Sequence, residues 1–159
     1  MNLALQLAHQ LQEVYIDGKW VAFTNIKEQI SDLNWEQAIT SVEGLNSIAK
    51  LTFHLNYYTA GLIQVLEGGP LEMRDKYSFN MPPITSESDW VALKEKSFAD
   101  AERLIELVKQ LSTETLEGFF VEEKYGNYYR NLLGTVEHSY YHFGQIVILK
   151  KLVLARSAK

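Results

Sequence analysis

Residues 127–154 read NYYRNLLGTVEHSYYHFGQIVILKKLVL. Apolar side chains recur there at three- and four-residue spacing, among them Leu132, Val136, Tyr140, Phe143, Ile146 and Val147, with no proline to interrupt them. The stretch predicts one long helix opening after Gly126, the most apolar of the chain. Three other segments keep the same period. Residues 2–15 put Leu3, Leu7, Leu11 and Val14 on one stripe, closed by Asp17-Gly18. From about Leu45 to Glu67 the stripe is Leu51, Leu55, Tyr58, Leu62, Val65 and Leu66, stopped by Gly68-Gly69-Pro70. After the cap signal SESD (86–89), Trp90, Leu93, Ala101, Leu104, Val108 and Leu111 carry a further helix to about Leu111. Residues 24–40 are expected to hold a short helix after Thr24 and another turn near Trp35.

Four long helical patterns and no alternating strand predict an all-α fold, a four-helix bundle. The 19-residue connector 68–86 is too long for a simple hairpin. Extended at ~3.3 Å per residue it reaches roughly 60 Å, against ~35 Å for the helices it joins. A crossover of that reach lets the second and third helices lie parallel, in up-down-down-up order; a meander between antiparallel helices is the other arrangement. The 159 residues suit a single domain over 1–159, with no internal repeat or linker.

A hydrophobic share of 47% with 22% charged residues fits a globular chain rather than a disordered one. The net charge of -5 leaves no broad basic surface for nucleic acid. With no cysteine there is no disulfide and no thiolate ligand or nucleophile, so a transition metal must be held by His, Asp or Glu. The N-terminus lacks the basic and continuous apolar regions of a signal peptide. No apolar run approaches the ~18–20 residues that span a bilayer. The expectation is a soluble, cytoplasmic protein without membrane contact.

Four histidines are candidates for chemistry. His9 falls opposite the first helix's stripe and is expected in solvent. His54 sits at the margin of the second helix's stripe, where a hydrogen-bonded core histidine and a ligand are both consistent with its position. His138 and His142 stand about 40° apart, one turn along, so both imidazoles can address one point. They mark either the wet side of that helix or a site. A wet stripe carries Lys, Glu or Arg, whereas this one runs Asn131, Thr135, His138, His142, Gln145, Leu149 with no formal charge, which suits a pocket lining. With His54 included, three neutral imidazoles meet at one metal with positions left for water or substrate. Tyr58 and Gln145, each one turn beyond a histidine, either orient a bound molecule or pack. Glu137 lies about 100° from the ligand direction, unlike the His-Glu-x-x-His arrangement of zinc proteases. Loop 70–85 either covers the pocket or crosses the bundle surface.

NSIAKLTFHLNYY (46–58) and GTVEHSYYHFGQIVILKKL (134–152), with Gly18-Lys19-Trp20 and Trp90, are similar to the DinB-like (damage-inducible) family, which includes the YfiT-like metal-dependent hydrolases. The resemblance spans nearly the whole chain. It implies an up-down-down-up four-helix bundle, a homodimer, and a divalent metal on three histidines, here His54, His138 and His142. Nickel or zinc is the implied ion, with iron or manganese as others. The implied activity is that of a thiol transferase or a hydrolase on a small molecule. Two readings without catalysis stand beside it, a metal-stabilised protein and a dimeric helical binding or stress-response module. The module draws on Tyr140, Tyr141, Phe143, Ile148 and Leu152, more apolar breadth than one core-facing stripe uses.

Overall fold

Residues 2–157 are described by a computed structural model, and every regular element among them is helical. The elements are α1 (Leu3–Gln12), α2 (Ile26–Ile30), α3 (Trp35–Ile39), α4 (Ile48–Leu66), α5 (Glu87–Lys109), α6 (Thr113–Glu117) and α7 (Tyr128–Ser157). Polar caps set their starts. The side chains of Asn2, Asn25, Asn34, Ser47, Ser86 and Ser112 each accept a hydrogen bond from a first-turn N–H that has no partner within its helix.

Several boundaries differ from the sequence expectation for local reasons. The second long helix starts at Ile48 rather than near Leu45, because Glu43 and Gly44 take positive φ and Ser47 then caps Lys50. The first helix does not run uniformly to residue 15: Glu13–Asp17 widen into a π-helical turn. Helix α6 was not expected, since five residues display no period. Leu3 is 41% exposed, and the inward stripe of α1 is instead Ala4, Leu7, Ala8 and Leu11. Small alanines let α1 approach its neighbours closely, a role that counting large apolar residues misses.

The long helices pack as α4 on α5, α5 on α1, and both α1 and α4 on α7. They bury Leu11, Leu51, Trp90, Leu104, Leu132 and Ile146 between them. Short α2 and α3 close one end, where Trp90 Nε1–H donates to the Leu33 carbonyl at 2.8 Å and Trp35 N–H to Glu87 Oε2 at 2.9 Å.

Side-chain pairings trace the segment between α4 and α5. It leaves the C-terminal end of α4 and runs back along it. Gln64 donates to Glu72 at 3.0 Å, Tyr57 bonds both backbone groups of Arg74, and Tyr58 donates to Asp75 at 2.8 Å. At Gly61, a Cβ would collide with the Met73 side chain, so the glycine leaves room for Met73 to lie against α4. Helices α4 and α7 meet in reverse register: Leu62 faces Asn131 and Gly134 across a groove, His54 meets His138, and Leu51 shares a hollow with Gln145 and Leu149. No helix among the described residues is long and apolar enough to cross a membrane.

Candidate metal centre

The reverse register of α4 and α7 brings His54 opposite His138 and His142. One ring nitrogen from each lies within 4.8 Å of the others, a cluster able to hold a metal ion. His54 is 5% exposed, His142 is 7% exposed and His138 is half-buried. The Nε2 atoms of His54 and His138 are 3.1 Å apart. Nitrogens bound to one ion at ~2.0–2.1 Å stand ~3.0–3.4 Å from one another, so this spacing suits shared ligation.

The outer nitrogens argue the same way. His54 Nδ1 lies 3.3 Å from the Ser78 carbonyl oxygen, which only accepts, so Nδ1 carries the proton and Nε2 keeps its lone pair. His142 Nδ1 sits 2.7 Å from Gln145 Oε1, which leaves its Nε2 likewise unprotonated. Such outer hydrogen bonds fix the tautomer and ring orientation that a ligand histidine needs. The donor set of neutral imidazoles without sulfur fits a divalent metal ion.

Around the cluster, the Phe79 ring stacks on His54 with centroids 4.0 Å apart and planes 9° from parallel. The Tyr58 ring stands edge-on to His54 at 5.1 Å and to His138 at 5.3 Å. Its hydroxyl donates to Asp75 Oδ1. From His138 a groove of about 560 Å³ opens between α4, α7 and the returning segment, floored by Leu62 and Thr135 and walled by Leu71 and Phe120. Tyr140 packs toward the core, while Tyr141 is 65% exposed with its ring against His142.

Sequence reasoning placed His54, His138, His142, Tyr58 and Gln145, and all five meet at this centre. His9 lies outside it, in solvent beside Glu13, and Glu137 is turned away to an exposed ion pair with Arg130 at 3.3 Å. Asp75, Ser78 and Phe79 were missed. Their segment, DKYSF, has no period to assign it a face; loop 70–85 was expected either to cover the pocket or to cross the bundle surface, without these residues being singled out.

All three imidazoles are held less basic than usual. His138 falls from the ordinary 6.5 to about 4, through desolvation first and then the neighbouring His142 and His54. Burial lowers His54, with His142 adding to the effect and the Ser78 bond and Asp75 opposing it. Burial also lowers His142, opposed by Gln145. At neutral pH the cluster therefore offers lone pairs rather than protons. Below 6.5 the unfolded chain binds protons that the folded site refuses, so stability is lost as pH falls. Melting temperature of metal-free protein is expected to hold above pH 7 and to decline between pH 6.5 and about 4. His138→Gln is expected to shallow that decline, and melts at stepped pH check it.

No family model, curated protein or solved structure matches the chain.

Proposed function

We propose that this chain is a divalent-metal-binding protein of DinB-like type, holding nickel or zinc on His54, His138 and His142 and acting on a small molecule as a thiol transferase or hydrolase. The observation that carries the proposal is the convergence of three imidazole nitrogens, two of them with the outer nitrogen already bonded. The accompanying topology is an up-down-down-up four-helix bundle with a long crossover between α4 and α5. It is supported by the return of residues 72–78 along α4 and by the reverse pairing of α4 with α7. A homodimer in the cytoplasm completes the reading.

His54, His138 and His142 would hold a divalent ion, which when bound would supply Lewis acidity and lower the pKa of a water or thiol. The chain's own part is orientation and shielding. Ser78 and Gln145 fix the imidazoles, Phe79 covers one face of His54, and Leu62, Leu71 and Phe120 line the groove with apolar surface for a substrate's hydrocarbon portion. Tyr58 presents its ring to two histidines and its hydroxyl to Asp75.

Elemental analysis of purified protein is expected to find about one ion per chain, and a chelator to lower the melting temperature. At metal a hundredfold above Kd the linkage is worth about 2.7 kcal/mol. For a domain of this size that corresponds to roughly 5–10 °C. Retention of metal by the combined alanine variant of the three histidines overturns the proposal. The non-catalytic dimeric module draws on one observation, the outward Tyr141, Ile148 and Leu152 of α7, 65%, 60% and 41% exposed. Metal-dependent turnover in a screen of thiols and esters eliminates it.

A further inference from the structure

Two formal charges line the groove beside the histidine cluster, Asp75 and Arg130. They are not equivalent. The Arg130 guanidinium lies over the bare backbone of Gly134 and is paired with Glu137 at 3.3 Å. Asp75 has no cationic partner among the described residues; its carboxylate receives one hydrogen bond, from the Tyr58 hydroxyl to Oδ1 at 2.8 Å, and Oδ2 receives none. The nearest lysine in sequence, Lys76, is drawn over the Tyr77 ring at 4.7 Å instead. Tyr58 and the 3₁₀ turn Asp75–Tyr77, closed by Ser78 Oγ–H donating to the Asp75 carbonyl at 2.8 Å, hold this carboxylate at the groove wall.

We infer that the groove binds a small molecule bearing a cationic amine, with the ammonium on Asp75 and the apolar body along Leu62, Leu71 and Phe120. The inference rests on the reading of the histidine cluster as the functional centre, and it adds the class of molecule the centre serves. Asp75 is exposed, so water meets its Oδ2 in the free protein; an ammonium replaces that water, and its charge complements the one carboxylate of the lining, which has no ion-pair partner among the described residues. The apolar walls take a hydrocarbon or aromatic body without leaving polar groups unpaired. Tyr58 is a positioning residue in this arrangement: it spends its own proton on Oδ1 and leaves Oδ2 for the ligand.

The test is calorimetric titration at pH 7 of zinc-loaded and of metal-free protein with 2-phenylethylamine, protonated there, and with neutral 2-phenylethanol. The amine is expected to bind more tightly than the alcohol. Asp75→Asn is expected to weaken the amine about fivefold and to leave the alcohol unchanged, while Asp75→Glu keeps the preference. Tyr58→Phe is expected to weaken the amine less than Asp75→Asn does. Absence of amine binding, or an Asp75→Asn protein that binds it as the parent does, overturns the inference. Failure to take up zinc strikes the metal reading instead, and the groove then stands or falls on the amine preference of the metal-free chain.

Discussion

His54→Ala and His138→Ala are both expected to weaken metal binding, each by more than about a hundredfold in affinity, the upper range seen when an outer partner of a ligand is removed. Only His54→Ala is also expected to loosen the returning segment. His54 uses one nitrogen toward the cluster and the other to hold the Ser78 carbonyl, and its ring carries Phe79. His138 bonds or stacks with the cluster and Tyr58, and makes no hydrogen bond or ring pair with residues 76–79. The two variants therefore separate ligation from docking of the segment. Limited trypsin digestion reads the difference, since Arg74 and Lys76 are exposed in the segment itself. Faster cleavage after these residues is expected in His54→Ala and not in metal-free His138→Ala. Equal cleavage in both variants removes His54 from the role of fastening that segment.

Trp90→Ala is expected to be the most destabilising single core change. The indole is fully buried at the start of α5 and its Nε1–H satisfies the Leu33 carbonyl in the loop after α2. Truncation leaves a cavity worth about 3–5 kcal/mol, and the orphaned carbonyl adds about 1–3 kcal/mol where water does not reach it. The cavity alone lowers the melting temperature by roughly 6–20 °C. Trp90→Phe keeps most of the ring and loses only the hydrogen bond, so its decrease is expected to be a fraction of that. Metal content per folded chain is expected to stay unchanged in both, because α5 contributes no residue to the histidine cluster. Thermal melts with parallel elemental analysis check the pair.

The contrast between these two positions shows where the sequence speaks. Trp90 was legible as core because its helix repeats apolar residues every three or four positions, and burial follows from that period. His138 and His142 were legible as one site for the same reason, since a four-residue step on a helix returns to nearly the same face. The neutral stripe around them identified that face as a lining. His54 was legible only as marginal, because a histidine at the edge of a stripe is satisfied equally by a ligand role and by a backbone carbonyl. The structure shows it facing both, with Nε2 toward the cluster and Nδ1 toward Ser78.

By itself, then, the sequence determined the helical class, the four long elements with the cap signal before α5, and the pairing of two histidines on one face, all readable from local patterns along the chain. Tertiary structure decided which helix faces which and in what register, and so whether His54 reaches the other two. It also decided where Asp75, Ser78 and Phe79 lie. They belong to a segment without period, which lies along α4 with Met73 against Gly61 and with the tyrosine hydroxyls of α4 bonded to Arg74 and Asp75. Such contacts join residues far apart in the chain, and no local propensity encodes them. The histidine pair was written in one helix; its third member and its covering were written in how that helix is packed.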